Sequence, residues 1–345
     1  MKTFTITVLV LALVGVVFVG NSILSSNNSN NHIPETSSGS NPTPSNTLEP
    51  TWEPVILPTR ESKLPSDVVK ITPEMDLNVP KSYSDDYYDP VPVPGLVNTL
   101  GGEDSPFILP DGKTLYFFFT PDVRIPVEKQ LLDGVTGIYV SHLEGDTWGQ
   151  AERIMLQDQG KLAMDGCEQI IGDVMYFASA REGYTGVRWF KAEYVNGEWH
   201  NWVNVDDELK TDDYQTGELH ITSDFQQLYF HSDRPGGKGG YDIWVSQKVN
   251  GEWAAPVNIK EVNCERSDGW PYVNEEGTEL WFSRDYGIWR SVKVDGIWQE
   301  PERMFFPLAG EPSLDIDGNV YFTHHFFDGD TMLEADIYVA YKNNL

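Results

Sequence analysis

From residue 98 onward the chain alternates short apolar runs with polar, glycine-bearing turns, and the runs carry no helical period. The stretch Glu218 to Ile259 shows the unit most plainly. Leu219 and Ile221 alternate with polar neighbours, a turn follows around Asp224, and Leu228-Tyr229-Phe230 forms a β-rich run. A glycine turn from Pro235 to Gly240 leads into Ile243-Trp244-Val245. Asn250-Gly251 suits a tight turn with positive φ, and Trp253 opens the last run, which ends at Val257 to Ile259. Four short strands in about 42 residues is the size of one propeller blade. A lone antiparallel blade cannot bury both of its faces, so it needs copies alongside.

The copies are present and in register. The second strand recurs as Leu115-Tyr116-Phe117, Met175-Tyr176-Phe177, Leu228-Tyr229-Phe230, Leu280-Trp281-Phe282 and Val320-Tyr321-Phe322. The third recurs as Ile138-Tyr139-Val140, Val187 to Phe190, Ile243-Trp244-Val245, Ile288-Trp289-Arg290 and Ile337-Tyr338-Val339. A turn ending in Trp148, Trp199, Trp253 or Trp298 precedes the fourth strand of the first four copies. The fifth copy stops at Tyr341 to Leu345 without its fourth strand, while Pro90 to Asn98 reads like Ala255-Pro256-Val257-Asn258. The pattern therefore predicts an all-β fold: a five-bladed β-propeller of four-stranded antiparallel blades, its ring closed by an N-terminal strand. The prolines of that strand suit an outer edge, where a missing N–H costs little.

The N-terminal part differs in character. Residues 1–24 run apolar from Phe4 to Gly20 behind Lys2, as a signal peptide or an N-terminal membrane anchor does; we read an anchor. Residues 25–66, rich in Ser, Asn, Thr and Pro, read as a disordered stalk with a glycosylation motif at Asn27. Residues 67–345 make the propeller domain with an N-terminal lead-in. On this reading the protein is exported, to the cell surface or periplasm, tethered by its N-terminal segment or secreted if that is cleaved.

Formal charge is −29 and pI near 4.4, which excludes nucleic acid and anionic lipid head groups as partners for the domain. Acidity of this kind keeps a chain soluble, and acidic loops are also what Ca2+ needs, the one cofactor the composition brings to mind. No metal-ligand spacing is visible, so no metal-binding residue is assigned. Cys167 and Cys264 fall in equivalent loops before copies two and four, which are not neighbours in a five-blade ring, so free thiols are expected rather than a bridge.

Pro110-Asp111-Gly112-Lys113-Thr114-Leu115-Tyr116-Phe117 resembles the signature of WD40-like (PD40) β-propeller repeats, as found in TolB-type propellers and related envelope proteins. Ser232 to Trp244 is similar to the turn and third strand that follow it in that family. The resemblance covers about residues 90–343 and implies the fold, not the role, because the family hosts many roles. Copy two departs with Ile171-Gly172-Asp173, copy four with Glu275-Glu276-Gly277-Thr278, and copy one carries an insertion from Pro121 to Val135. Asp242 and Asp336 occupy the family's Asp-Ile-Tyr position and are expected to accept backbone N–H bonds from turns.

In a propeller the innermost strands line a channel, and the residues leading into them face one mouth. The alignment puts Ser105 beside Asp104, Glu168, Glu218, Trp270 and Glu311 there, with His220 and Tyr272 close by. These residues are either caps for backbone N–H groups of the next blade or a site for a cation, a cationic peptide or a sugar. The function read from this is a non-catalytic binding module for a protein or glycan partner on the cell exterior. The alternatives are a purely structural envelope component and a carbohydrate-active hydrolase using two of Asp104, Asp165, Glu168, Glu218 and Glu311. Repetition alone accounts for those carboxylates, so no catalytic residue is assigned. His220 and His231 read as packing residues, Gly236 to Gly240 as a turn without a following helix, and His324-His325 as neighbours on opposite faces of a strand, unable to chelate one ion together.

Overall fold

The computed structural model describes residues 58–209 and 216–343. The expected anchor or signal peptide at 1–24, and the stalk as far as residue 57, lie outside the described residues. Among the described residues no helix is long and apolar enough to cross a membrane.

The fold is almost all β, and each sequence copy forms one antiparallel run. Copy one holds Gly102–Ile108, Thr114–Thr120 and Gly137–Glu144, with short outer pieces at Thr147–Trp148 and Glu152–Arg153. Copy two holds Ala163–Ile171, Val174–Arg181, Val187–Val195 and Glu198–Asn204. Copy three holds Thr216–Ile221, Gln227–Ser232, Asp242–Val249, Glu252–Trp253 and Val257–Asn258. Copy four holds Asp268–Val273, Glu279–Arg284, Gly287–Val294, Ile297–Trp298 and Glu302–Phe306, and copy five holds Ala309–Leu314, Val320–Asp328 and Thr331–Ala340. Copies five and one join through a single parallel bridge, Ala335 to Gly102. The first strands of the copies lie side by side in chain order, and the last returns to the first.

The N-terminal strand Val91–Pro92 pairs antiparallel with Val339 and Tyr338 of copy five. A second added strand, Lys81–Ser82, pairs with Phe305 and Phe306 on the outer edge of copy four, which the alternation does not foretell in so polar a stretch.

The core is divided into seams between consecutive copies. In copy one Leu115 and Phe117 pack toward copy five with Tyr321 and Val339, whereas Tyr116 packs toward copy two with Met175 and Phe177. This is the period-two alternation of a strand buried on both faces. The four recurring tryptophans, Trp148, Trp199, Trp253 and Trp298, are all buried where the outer strand begins.

The lead-in is ordered earlier than expected. The stalk was expected to extend to residue 66, but Arg60 is buried and donates to Val97 O and Leu96 O at 2.8 Å each and to Glu103 Oε1 at 3.3 Å. The cause is charge: Glu103 is fully buried, and a buried carboxylate needs a cation. Farther along, Lys70 Nζ bonds both Glu334 and Asp336, and Asp76 Oδ2 lies 3.0 Å from His324 Nε2. Asp336 thus serves as partner to a lysine rather than as the turn acceptor expected of it. Asp242 does accept turn N–H groups, from Lys238 and from Gly239 at 2.9 Å.

Candidate functional site

Each innermost strand carries the same defect. In copy one Asp104 pairs with Phe118 and Phe107 with Tyr116, so Ser105 and Pro106 together oppose Phe117. The same two-against-one bulge sets Cys167 and Glu168 against Phe177, Trp270 and Pro271 against Phe282, and Glu311 and Pro312 against Phe322. The first residue of each of these pairs is left-handed, with φ of 49° at Ser105, 53° at Cys167, 53° at Trp270 and 60° at Glu311. For a residue with a side chain this conformation costs about 1–2 kcal/mol, and several gathered at one place mark a position held by its surroundings. Prolines at 106, 271 and 312 fit the second place, since a bulge leaves one N–H outside the ladder.

Copy three is slipped by one residue. Thr216 pairs with Ser232 and Leu219 with Phe230, so Gly217 and Glu218 oppose His231. Glycine is required here because a Cβ on Gly217 would sit 1.7 Å from His231 Nε2. Counting from the undisturbed pairs, Glu218 still falls beside Ser105, Cys167, Trp270 and Glu311. The position in copy two is therefore Cys167, not the Glu168 that the sequence alignment placed there. The shared signal is the following proline at 106, 271 and 312, a column in which Glu168 and Leu219 stand. Cys264 precedes its own strand, Asp268–Val273, so the two cysteines are not equivalent; both are free thiols.

The expected capping role is reversed. The backbone N–H of a bulge residue donates to a side chain of the preceding copy: Ser105 N to Thr323 Oγ1 at 3.1 Å, Trp270 N to His231 Nδ1 at 3.1 Å, and Glu311 N to Ser283 Oγ at 2.8 Å. Side chains hold the backbone here, and the carboxyl groups are left to face one another.

They face a central cavity of about 40 Å³, lined by Glu168, Glu218, His220, Trp270, Tyr272 and Glu311 among others. Asp104, the remaining residue expected at this site, lies behind Ser105 and is fully buried. A cavity of this size holds a few waters, each needing at least about 10–15 Å³. It is far below the roughly 300 Å³ at which small-molecule pockets begin.

The electrostatics are those of acids withdrawn from water. Ser105 Oγ lies 2.6 Å from Glu311 Oε2 and 3.1 Å from Glu218 Oε1. Burial, followed by the charge of Asp104, raises the pKa of Glu218 to about 8. Burial also pushes Glu311 well above the carboxylate range, with Asp104 and Glu218 adding to it. Glu168 is raised for the same first reason, its own backbone N–H opposing the shift, and no other residue bonds its carboxyl oxygens. The Cys167 thiol is driven up by burial and then by Glu218, which disfavours the thiolate. His220 is held down to about 3 by burial, its ring against Tyr272 and its Nδ1 3.3 Å from Gln169 Nε2. The Tyr272 hydroxyl donates to Leu314 O at 2.9 Å. Asp165, a carboxylate of the hydrolase alternative, is tied to Arg181 at 2.8 Å and does not line the cavity.

One group of side chains can hold a metal among the described residues: Asp104, Glu311 and His325, whose ligand atoms lie within 4.8 Å of one another. It is buried beside the central cavity, not in an exposed acidic loop of the kind expected for Ca2+. The two adjacent histidines do point apart, His324 to Asp76 and His325 to Asp104. Sequence reasoning passed over His325 because the argument against joint chelation with His324 says nothing of either residue alone.

No protein-family model matches the chain, and no curated protein sequence does. Among solved structures it is similar to a protein assigned as TolB from Agrobacterium tumefaciens, with 16% identity over 61% of this chain and 67% of that one, at a TM-score of 0.37. It is similar to a xylan β-1,4-xylosidase from Bacillus halodurans, with 14% identity over 72% of this chain and 54% of that one, at 0.44. It is also similar to an α-L-arabinofuranosidase from Lactobacillus brevis, with 12% identity over 72% of this chain and 94% of that one, at 0.39. Likenesses as loose as these carry no argument about activity.

Proposed function

We propose that the chain is a five-bladed β-propeller of the WD40-like (PD40) type, closed by its N-terminal strand, that serves as a non-catalytic binding module. Its partner is a protein or glycan on the cell exterior, met across one face of the ring, and its N-terminal segment tethers it to the membrane. The ring reading draws on the cyclic order of the innermost strands and on the pairing of Val91–Pro92 with copy five. The non-catalytic reading rests on one observation. The carboxyl groups that would form an acid–base pair enclose only about 40 Å³, too little for a sugar ring. A hydrolase also needs room for water or for a nucleophile to reach the anomeric carbon.

The alternative, a carbohydrate-active hydrolase, draws on a different observation: Glu218, raised to about 8, would keep a proton to give at neutral pH. Glycan-array binding and a hydrolysis panel of aryl glycosides and polysaccharides separate the two. The expected result is binding that persists in Glu218→Ala, with no turnover by either protein. Turnover that disappears in Glu218→Ala would establish the hydrolase instead, and binding lost in both Glu218→Ala and Trp270→Ala would move recognition from the face to the channel.

A further inference from the structure

We propose that Asp104, Glu311 and His325 bind one first-row divalent transition-metal ion, Zn2+ or Mn2+, at the seam between copies one and five. Each ligand is placed by a separate feature of the fold. Asp104 stands on the innermost strand of copy one, immediately before the bulge, paired with Phe118. Glu311 is the left-handed bulge residue of copy five, its backbone fixed by Ser283 Oγ. His325 stands on the second strand of copy five opposite Ala335, the residue that bridges to Gly102.

The independent sign of a ligand is the imidazole. His325 is 2% exposed, and neither ring nitrogen has a partner in good hydrogen-bond geometry, the Leu308 backbone giving at most a weak contact. Leaving a buried polar group unsatisfied costs about 1–3 kcal/mol, and such groups are uncommon in folded proteins. Its Nε2 is aimed at the acids, 3.9 Å from Asp104 Oδ1. Ligand atoms around a tetrahedral ion at 2.0–2.2 Å lie roughly 3.3–3.6 Å apart. The His325–Asp104 separation is a few tenths of an ångström wider, and the three ligand atoms lie within 4.8 Å of one another, so side-chain rotations must draw the set together by up to about 1.5 Å. Two carboxylates balance the charge of a divalent ion, and this removes the cost of burying like charges together.

The donor set decides the kind of metal. Imidazole nitrogen with carboxylate oxygen suits Zn2+ and Mn2+, whereas Ca2+ and Mg2+ take all-oxygen shells. Only three protein ligands converge, so water fills the remaining coordination. His324 takes no part, being held by Leu308 O at 3.1 Å and by Asp76 on the other face of the strand. This site is separate from the partner-binding reading above and stands or falls without it.

The test uses the full-length chain, stripped with a chelator and titrated with Zn2+ and with Mn2+ by calorimetry, the bound metal being counted by elemental analysis. One ion per chain is expected, with a rise in Tm, and at least tenfold weaker binding of Ca2+ and Mg2+. His325→Phe, which fills the space with an apolar ring, and Asp104→Asn should each abolish binding. Absence of binding by both metals, or one-to-one binding that persists in both variants, would overturn the proposal. Pulsed EPR on the unaltered chain loaded with Mn2+ decides the matter even if a variant fails to fold. Coupling to one directly bound imidazole nitrogen is the expected result, and its absence would overturn the site.

Discussion

The Ser105 hydroxyl lies 2.6 Å from Glu311 Oε2 and 3.1 Å from Glu218 Oε1, so copies one, three and five meet at one point. One hydroxyl proton can be donated fully to only one carboxylate, so both contacts are good hydrogen bonds only when one of the two acids is protonated. That requirement agrees with the upward shift of both groups by burial.

The pH dependence of stability follows. Glu218 rises from its ordinary 4.5 to about 8 on folding. Between those values the unfolded chain binds fewer protons than the folded one, so stability falls as pH rises, by at most about 1.4 kcal/mol per pH unit for one group. Glu168 and Glu311 act in the same direction. His220 and His231 act oppositely: burial lowers each from 6.5 to about 3, so the unfolded chain binds more protons below 6.5 and stability falls as pH drops from there. Urea midpoints measured in chelator from pH 3.5 to 9 should peak at mildly acidic pH. Glu218→Gln should flatten the alkaline limb and leave the acid limb unchanged. A maximum above pH 7.5 would contradict this account.

Lys70 is the second point of interest, because it joins the lead-in to two buried acids of copy five, Glu334 and Asp336. Both acids are raised by burial even with the lysine present. Lys70→Met leaves them without their cation, and breaking a buried pair from one side costs roughly 3 kcal/mol or more. Urea denaturation at pH 7.5 should show that loss, and the loss should shrink at pH 5, where the acids take up protons. An unchanged midpoint at pH 7.5 would mean the strap contributes nothing to the fold.

The N-terminal strand should be indispensable. Val91–Pro92 covers the edge of copy five, and Val93 and Val97 are buried in the seam with copy one. Deleting residues 88–98 exposes that edge and removes those side chains, so Tm is expected to fall by at least about 10 °C or the chain to aggregate. A melting temperature equal to that of the intact chain would refute ring closure by this segment.

Gly217 tests the slip in copy three. Gly217→Ala drives a methyl into His231, which is pinned by Trp270 N and packed on the Trp270 ring at 4.8 Å. Overpacking of this kind costs about 1–3 kcal/mol. The double variant Gly217→Ala with His231→Ser should recover part of the loss. Additive losses from the two changes, measured as a double-mutant cycle, would show that the contact is not the cause.

Much of the fold was legible because its signals are local. The Leu-Tyr-Phe run already marks the second strand of each copy, and the tryptophan after each tight turn already marks the outer strand. Most of the channel residues were legible too, since the repeat itself places Glu218, Trp270 and Glu311 at one position. Cys167 was missed because Glu168 beside it looked like the better match, and only the proline column separates them. Arg60 and Lys70 were missed because their partners, Glu103 and Glu334, lie 43 and 264 residues away.

The sequence by itself determined the repeating unit, its strands and turns, and the identity of the acids that gather at the centre. It could do so because strand period and turn chemistry depend on neighbours a few residues apart. The tertiary structure alone decided that a bulge re-aims one side chain in every innermost strand and that copy three is slipped. It decided too that His325 comes within reach of Asp104 and Glu311 where the last copy meets the first. These are consequences of packing copies against one another, and side chains from opposite ends of the domain become neighbours only when those copies are joined.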